Sequence, residues 1–528
     1  MRRAPAQFII LPGAILALAL PCPGAEIHSN TTGGGRWSSA ETWHGGSVPT
    51  QQDSVVIAMG DVVEVDVNDT DRPSCGNLYI DPTGVLTFAA AEGSHGLTVD
   101  GEIDSYGLIR MDAASRPESR LALRIVAGPD RPGSVRLRHG AALLVHGAAG
   151  LPQDSENVSI AAIPHPAGGD DSAPVAVSVT AHGGAAIDLH RAMLSNVMIE
   201  ARSIDNTGSR AGERVNIVGN RFTGHSRLTL RACDTPVVRR NRFDAAPRPQ
   251  EGHALLIEKC KLAQVHGNHA AGYGQGIIID GGMDASVVGN ELADCTTALS
   301  LTTRDVMVRD NTLIRCPTGV YAELTSGAIE NTTVAESQLA FHIDYSTAIQ
   351  FTNCRVLDLP EKGVPMRVDQ AKVGLLNCNI APDGIEASTN RRGRSTTSRQ
   401  VQAMHYLVVK VNGDVPANTQ VDVRTAEVSG GVPEGRADEN VRNAPAFLNT
   451  EGLTLPPRTM RSLVVRSWRM KQDGTIVSAP FYELRVSVPA EDPAGPRTQL
   501  VSKLIEPDES WYRPDLEDDA PTLEVTLP

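Results

Sequence analysis

Gly276-Ile-Ile-Ile-Asp280 and Ala298-Leu-Ser-Leu-Thr302 begin 22 residues apart and share one pattern, a small residue before a short, largely apolar run that ends in a polar residue. Segments of the same pattern begin at Ala254, Gly319 and Ala340. Short β patterns that return every 20 to 30 residues or so, without a helical period, are typical of a solenoid of stacked repeats. The stretch from Val215 to Ile380 therefore predicts an all-β solenoid.

Asparagine recurs through the same stretch at gaps of 20 to 27 residues. The eight asparagines are Asn220, Asn241, Asn268, Asn290, Asn311, Asn331, Asn353 and Asn377. Stacked asparagine side chains hydrogen-bond along a solenoid and satisfy the backbone amides of a tight turn. We therefore predict one structural column of asparagines and assign it no part in function.

Alternating β runs also precede these repeats, for example from Leu97 to Ile109 and from Ser134 to Val145. The repeats resemble the right-handed parallel β-helix repeats of pectate lyases, polygalacturonases and related proteins. The resemblance implies an all-β fold, a right-handed parallel β-helix (single-stranded solenoid) over residues 111–386. Residues 150–175 are rich in Pro, Gly and Asp, which predicts an excursion loop.

The N-terminus has the pattern of an export signal. Two arginines precede the 13-residue apolar run from Phe8 to Leu20, and the small residue Ala25 follows it. This order predicts a secretory signal peptide over residues 1–25, and the apolar run is too short to span a bilayer. Cys22 raises the alternative of a lipid anchor, which Pro21 does not favour. We predict a secreted, periplasmic or cell-surface protein without a transmembrane segment.

Residues 26–110 begin with a glycine-rich segment that carries two tryptophans and continue in short β runs closed by Gly and Pro turns. They resemble the eight-glycine domain that precedes β-helices in cell-surface hyaluronan-degrading proteins, in fibrocystin and in many exported bacterial proteins. The match rests on Trp37, Trp43, Gly46, Pro49, Asp53, Gly60, Gly84 and Leu86. The resemblance implies that this segment forms the capping, first coils of the β-helix, with the two tryptophans packed in the cap.

A change of composition marks the end of the predicted β-helix. Residues 387–402 are polar and basic, which predicts a linker. Beyond them, runs such as Tyr406 to Val411 and Tyr482 to Val488 alternate apolar and polar residues at the period of a strand. We predict a small C-terminal β-sandwich over residues 403–528, which resembles the immunoglobulin-like or transthyretin-like modules appended to secreted enzymes.

The formal charge of the chain is -14. Nucleic-acid binding depends on basic surfaces that displace counterions from phosphates, so this charge argues against a nucleic-acid partner. The sequence also contains no glycine-rich phosphate loop, serine-hydrolase elbow or zinc-site spacing of Cys and His.

Six cysteines of the repeats fall into pairs on adjacent coils. The pairs are Cys233 with Cys260, Cys295 with Cys316 and Cys354 with Cys378. An exported chain allows disulfides at this spacing. Buried free thiols are the interpretation that we favour.

Residues that share a register form columns along the solenoid, because side chains alternate along a strand and neighbouring coils stack about 4.8 Å apart. Two columns of residues should face outward. The first contains Thr229, Leu256, Ile278, Ser300, Tyr321, His342 and Arg367. The second contains Arg231, Glu258, Asp280, Thr302, Glu323, Asp344 and Asp369. We predict a catalytic site formed by Tyr321, Glu323, His342, Asp344 and Arg367, with Glu258 and Arg304 binding the substrate.

Carboxylates about 5 Å apart repel, so one takes up a proton or a cation lies between them. A protonated carboxyl group beside an imidazole and a phenol suits acid/base chemistry on a sugar polymer. The resemblance adds another chemistry, since lyases of this architecture use Ca²⁺ on acidic residues to neutralise a uronate while Arg, Lys, His or Tyr removes the α-proton. Asp280, Asp344 and Asp369 are the Ca²⁺ ligands that we predict.

Two functions from different classes remain open at this point. The first is a polysaccharide lyase or glycoside hydrolase that acts on an anionic glycan at the outer face of the β-helix, with Ca²⁺ as the one cofactor considered. The alternative is a non-catalytic surface or adhesion protein, in which the solenoid is a rigid spacer that binds carbohydrate or partner proteins.

Overall fold

The computed structural model describes most of the β-helix and part of the C-terminal region. The described residues are 24–68, 71, 73–89, 93–128, 133–149, 151, 157–164, 175–204, 215–245, 250–346, 348–387, 400–413, 415, 418–425, 446–447, 463–470, 476–478, 482–488, 498–505 and 522–527. Except for Gly24 and Ala25, the predicted signal peptide lies outside them. The described residues include the 3₁₀ turns Ala40–Thr42 and Pro382–Gly384. No helix of this described part is long and apolar enough to cross a membrane.

Three parallel sheets extend along the chain, and a typical coil contributes one strand to each. The 15 strands of the first sheet are Glu26–His28, Ser54–Ile57, Leu78–Ile80, Glu102–Ser105, Ser134–Leu137, Val177–Ala181, Val197–Arg202, Arg227–Arg231, Gln250–Glu258, Tyr273–Met283, Thr297–Arg304, Thr318–Glu323, Leu339–Asp344, Val364–Asp369 and Ile385–Ala387. Those of the second sheet are Gly34–Arg36, Val62–Val65, Val85–Phe88, Leu108–Asp112, Ala142–His146, Ala186–His190, Val215–Val218, Val237–Arg239, Gln264–His266, Ser286–Val288, Val306–Arg309, Ser326–Glu330, Ala348–Thr352, Lys372–Leu376 and Gln400–Asn412.

The third sheet has 12 strands. They are Ser74–Cys75, Gly93–Val99, Ser119–Ala127, Val158–Pro164, Met193–Ser195, Arg221–Gly224, Arg242–Ala245, His269–Ala271, Glu291–Ala293, Thr312–Ile314, Thr333–Ala335 and Arg355–Leu357. Val158–Pro164 lies in the segment predicted as an excursion loop, so that segment contains part of a coil. Residues 150, 152–156 and 165–174 of the predicted loop lie outside the described residues.

Burial alternates along the strands, as the period of two requires. In Val85–Phe88, for example, Leu86 and Phe88 are buried while the residues before them are partly exposed. The inward side chains of the three sheets form one continuous hydrophobic core. The architecture is the all-β, right-handed parallel β-helix that the repeats and the resemblance predicted.

A column of buried asparagines stabilises one corner of the coils. Each of the first four donates from Nδ2 to the Oδ1 atom of the next at 2.9–3.0 Å, and the backbone N–H of each donates to that same oxygen. The members of this inner column are Asn220, Asn241, Asn268, Asn290 and Asn311. The predicted structural role of the asparagines is confirmed for these five.

The other three asparagines form a second column, so the prediction of a single column is wrong. Asn331, Asn353 and Asn377 adopt left-handed backbone angles, with φ of 47–54°, and hydrogen-bond to one another. They lie one residue earlier in the coil than the inner column, whose place is taken by Thr332, Cys354 and Cys378. The sequence contained this signal, because the gap of 20 residues from Asn311 to Asn331 is one shorter than the local coil of 21, in which Thr312 pairs with Thr333.

The six repeat cysteines stack in pairs at the corners of the coils. All six are buried and free, as is Cys75. Cys233 and Cys260 illustrate the packing, since the backbone N–H of the first donates to the Sγ atom of the second at 3.3 Å. The favoured interpretation, free thiols instead of disulfides, is confirmed.

The N-terminal residues already form coils of the β-helix. Trp37 and Trp43 are buried in the common core with their ring centroids 5.0 Å apart, and Trp43 Nε1–H donates to the Trp37 carbonyl at 2.9 Å. Asp53 fixes a turn by accepting hydrogen bonds from the N–H groups of Thr50 and Ala25 at 2.8 and 3.0 Å. These residues have packing roles, and the resemblance to an eight-glycine domain stays a prediction.

One long strand, Gln400–Asn412, joins the β-helix to the C-terminal region. Its first part pairs in parallel with Lys372–Leu376 as a further rung of the second sheet, and its last part pairs with Thr522–Thr526. Ala387, which ends the strand Ile385–Ala387, and residues 400–402 are therefore strand and not linker as predicted. Residues 388–399 of the predicted linker lie outside the described residues.

The C-terminal region contributes to two cores. Leu463–Met470 pairs antiparallel with the long strand, and its Trp468 and Met470 are buried in the core of the β-helix. Ile476–Ser478 pairs with Leu463–Met470. A separate four-stranded antiparallel sheet contains Gln420–Thr425, Ala446–Phe447, Tyr482–Val488 and Thr498–Ile505. Residues of this sheet pack with Val409 and Val411 in a second core. The two-sheet arrangement supports the predicted β-sandwich in part.

Candidate functional site

The predicted outer columns are formed on the first sheet, and their last rungs make a polar patch. Tyr321 pairs with His342 and His342 with Arg367, while Glu323 pairs with Asp344 and Asp344 with Asp369. The residues that alternate with them along each strand, such as Phe341 and Ile343, are buried. The six side chains therefore point outward. We call Tyr321, Glu323, His342, Asp344, Arg367 and Asp369 the acid patch.

Two pairs of side chains contact each other within the acid patch. The hydroxyl of Tyr321 donates to Glu323 Oε2 at 2.9 Å, and His342 Nε2 lies 3.1 Å from Asp369 Oδ2. The Tyr321 and His342 rings meet edge to face with centroids 5.1 Å apart, which joins the two pairs. The side chains of His342 and Asp369 are 23% and 18% exposed, so a ligand on the sheet face can reach them.

Asp344 stands between Glu323 and Asp369 in its column without a comparable partner. Its Oδ1 atom is buried and has no hydrogen-bond partner among the described residues. Burial raises the pKa of the Asp344 carboxyl, and the charges of Asp369 and Glu323 raise it further, whereas His342 and a hydrogen bond from the Tyr345 backbone N–H act in the opposite direction. The protonated form of Asp344 is therefore favoured relative to an aspartate in water.

Tyr321 and Arg367, which were also predicted to be catalytic, are each bound to a carboxylate. Burial and the hydrogen bond to Glu323 raise the pKa of Tyr321 to about 12, so the phenol keeps its proton at neutral pH and is a hydrogen-bond donor, not a base. Arg367 turns towards the next rung, where its Nη2 atom lies 2.6 Å from Glu386 Oε2. The guanidinium is thus at the edge of the acid patch and already paired.

Asp344→Asn should stabilise the folded protein at neutral pH. A raised pKa in the folded state means that stability is present below the ordinary pKa of aspartate, about 3.9, and is lost as the pH rises through the raised value. The substitution removes the charge, so its unfolding midpoint in urea should exceed that of the wild type near pH 7 and match it near pH 3. Asp280→Asn, an exposed carboxyl of the same column, is the control and should change neither midpoint. A lower midpoint for Asp344→Asn near pH 7 would contradict this account.

Several carboxylates on earlier rungs of the same face have cationic partners. Arg231 Nε lies 3.2 Å from Glu200 and 3.3 Å from Glu258, and Arg138 binds Asp104 through two hydrogen bonds of 2.7 and 2.9 Å. Glu258, a predicted substrate-binding residue, is therefore part of an ion-pair ladder. It is three rungs, or about 14 Å, from Glu323.

The predicted Ca²⁺ ligands do not come together as a set of three. Asp280 pairs with Thr302, and the rungs of Thr302 and Glu323 separate it from Asp344 by about 14 Å. Asp280 therefore cannot share one ion with Asp344 and Asp369. Arg304, the other predicted substrate-binding residue, is exposed at the end of its strand and pairs with Met283 after an irregularity in the register.

The structure also brings together a group that the sequence analysis missed. His146, Asp188 and His190 lie on neighbouring strands of the second sheet, and their ligand atoms are all within 4.8 Å of one another. Asp188 and His190 have the spacing of two that puts both on one face of a strand, which was a signal. His146 precedes His190 by 44 residues, twice the repeat, so the period alone did not pair them.

Comparisons with known proteins give limited similarities. Residues 215–372, under a third of the chain, match the family described as "NosD: Periplasmic copper-binding protein (NosD)". The periplasmic alginate epimerase AlgG is similar in structure, with 11% identity, coverage of 67% of this chain and 84% of that chain, and a TM-score of 0.37. Two mutant forms of AlgG have 10% and 11% identity, cover 70% and 62% of this chain and 87% and 78% of their own, and have TM-scores of 0.37 and 0.35. No curated protein matches the chain.

Proposed function

We propose that the chain is an exported glycan-active protein that uses the acid patch for acid/base chemistry on a polysaccharide. One observation carries the proposal: Asp344 is partly buried between two other carboxylates, and its Oδ1 atom has no hydrogen-bond partner among the residues described. A carboxyl group in this setting holds a proton more readily than one in water. That property is what a general acid requires.

The proposal gives Asp344 the role of proton donor to the leaving oxygen of a glycosidic bond. Glu323 and Asp369, on the rungs to either side, are the candidates for the nucleophile or base, and Tyr321 and His342 hold them in position. Neighbouring rungs are about 4.8 Å apart, close to the separation of about 5 Å between the two carboxyl groups of retaining glycosidases. A glycan lying across the rungs would contact the donor and one of the two candidates together.

The charge of the acid patch favours hydrolysis over elimination. Elimination from a uronate needs a cation opposite the substrate carboxylate, which is the role predicted for Ca²⁺. Arg367 is paired with Glu386, and the carboxylates of Glu323 and Asp369 on either side of Asp344 would repel an anionic sugar. We therefore place a neutral polysaccharide ahead of the anionic glycan as substrate. An anionic glycan would be a substrate only in the presence of an added divalent cation.

The test compares the wild type with Asp344→Asn on neutral and uronate-containing polysaccharides, with and without Ca²⁺. New reducing ends report hydrolysis, and the ultraviolet absorbance of an unsaturated product reports elimination. We expect hydrolysis, with kcat/KM about 100-fold lower for Asp344→Asn, because loss of a general acid typically removes a factor of this order or more.

Asp280→Asn is the matched control, since it makes the same change in the same column three rungs away. It should keep the activity of the wild type. Equal activity in Asp344→Asn and the wild type would remove the acid patch as the catalytic site. Activity that appears only with Ca²⁺ on a uronate polymer would replace hydrolysis by elimination.

A second candidate function, carbohydrate binding without catalysis, is supported by exposed side chains beside the acid patch. Tyr345 is 48% exposed and Leu324 is 60% exposed, both at the corner that follows the first sheet. An exposed aromatic ring can stack on a sugar. Retention of the protein on an insoluble polysaccharide that it does not cleave, and loss of retention in Tyr345→Ala, would favour this alternative.

Export to the periplasm is part of the proposal. The apolar N-terminal run and the small residue at Ala25 have the pattern of a signal peptide. The description of the family that matches residues 215–372 includes the word periplasmic. Both support a location in which the acid patch would meet extracellular or cell-envelope glycans.

A further inference from the structure

Two histidines and one aspartate converge on the second sheet, on a different face of the β-helix from the acid patch. His146 Nε2 lies 3.2 Å from Asp188 Oδ2, and His190 Nε2 lies 2.8 Å from Asp188 Oδ1. The imidazole rings meet edge to face with centroids 5.2 Å apart. The three side chains are about one third exposed, at 32%, 26% and 36%. Both ring nitrogens therefore point at one carboxylate that solvent can reach.

Asn216 lies on the next rung after Asp188. Because of its position, no placement of protons around the Asp188 carboxylate turns all of these close contacts into hydrogen bonds. Its Nδ2 atom lies 2.9 Å from Asp188 Oδ1 and 2.9 Å from His190 Nε2. If His190 Nε2 carries a proton for Asp188, that N–H faces the N–H of Asn216. If it carries none, its lone pair faces the carboxylate of Asp188. If the Asn216 amide is rotated so that its nitrogen and oxygen exchange places, its oxygen instead faces Asp188 Oδ1, and both of these atoms are hydrogen-bond acceptors.

A metal ion removes the conflict, because it accepts the lone pairs of both imidazoles and of the carboxylate together. Ligand atoms around a tetrahedral ion with bonds of about 2.0–2.2 Å are roughly 3.3–3.6 Å apart. The 2.8 and 3.2 Å separations reach this range with a small rotation of the side chains. Asn216 could then donate to Asp188 Oδ1 as an outer partner that orients the ligand.

We propose that His146, Asp188 and His190 form a binding site for a divalent late first-row transition metal ion. Two imidazole nitrogens and one carboxylate suit ions such as Zn²⁺ and Cu²⁺, whereas Ca²⁺ and Mg²⁺ prefer oxygen ligands throughout. The three residues lie on the open face of the sheet, so they leave a coordination position for water or an exogenous ligand. The site is separate from residues 215–372 except for Asn216, and it is independent of the acid patch.

The test uses full-length protein without a polyhistidine tag, stripped with chelator and titrated with Zn²⁺ in a calorimeter. We expect one saturable site, with affinity at least about 100-fold weaker in His190→Ala and Asp188→Asn and about 10-fold weaker in Asn216→Ala. An excess of Ca²⁺ should not compete. Cu²⁺ loaded at one equivalent should give an electron paramagnetic resonance spectrum with nitrogen couplings from two imidazoles.

His266→Ala is the matched control. His266 stands in the column of His190, three rungs away, and its Nε2 atom lies 2.9 Å from Ser286 Oγ. The variant should bind Zn²⁺ as the wild type does. Lack of a saturable site, equal affinity in His190→Ala, or a Cu²⁺ spectrum without two nitrogen couplings would overturn the proposal. The wild-type spectrum decides the question even if a variant fails to fold.

Discussion

Asn268→Ala is expected to lower the free energy of unfolding by about 4 kcal/mol, because it orphans several buried polar groups that each cost about 1–3 kcal/mol when unpaired. Asn268 Oδ1 accepts hydrogen bonds from the backbone N–H and the Nδ2 atom of Asn241 at 3.0 Å each. Its own Nδ2 atom donates to the carbonyl of Val238 and to Asn290 Oδ1, both at 3.0 Å. Asn268 is 2% exposed, so water cannot replace these bonds.

Urea unfolding monitored by far-ultraviolet circular dichroism measures this effect. Asn353→Gly is the control, because Asn353 belongs to the second column and is partly exposed, so water can take over its hydrogen bond to Asn331, and glycine tolerates its φ of 54°. Its effect should stay within about 1 kcal/mol. Equal losses in the two variants would mean that burial of the inner column does not determine its contribution.

Trp43→Ala is expected to destabilise the N-terminal coils by about 4 kcal/mol, the usual range for removing a buried aromatic side chain. Trp43 is 2% exposed, packs edge to face on Trp37 with an interplanar angle of 76°, and donates to its carbonyl. Removal of the ring leaves a cavity at this end of the core and an unpaired carbonyl oxygen. Trp43→Phe keeps the ring contact and should cost about 1–2 kcal/mol.

Tryptophan fluorescence and circular dichroism during urea unfolding show whether the N-terminal coils unfold separately from the rest of the protein. Each coil of a solenoid contacts mainly its neighbours, so a local weakness can unfold locally. We expect Trp43→Ala to show an early transition that removes the N-terminal coils before the rest. An unchanged unfolding curve would show that these coils do not depend on the tryptophan pair.

The outer columns could be predicted from the sequence residue by residue. Segments such as Gly276 to Asp280 repeat at the length of one coil, and side chains alternate with a period of two. These two facts are enough to place Tyr321 beside His342 and Asp344 beside Asp369. The inner asparagine column followed from the same argument. Asn331 is the exception, and the sequence shows it, because the gap of 20 residues before it is one shorter than the local coil of 21.

The side-chain contacts within a column were harder to predict than the residues that belong to it. The sequence put Glu258, Asp344 and Asp369 in one column, yet Glu258 is held by Arg231 while Asp344 Oδ1 has no partner among the described residues. Likewise, Arg367 is on the predicted rung but turns to Glu386. Register fixes the position of a Cα atom, whereas the contact depends on the rotamer and on the side chains around it.

By itself the sequence determined the solenoid, its register and the two outer columns, because covalent spacing along the chain sets which residues stack on successive coils. Only the tertiary structure decided the group of His146, Asp188 and His190 and the burial of Trp468 and Met470 in the core of the β-helix. The physical reason is the same in both cases. These contacts join residues whose separation is not one repeat, so their meeting depends on a coil of 44 residues, twice the usual length, and on an antiparallel strand that returns from the C-terminal region.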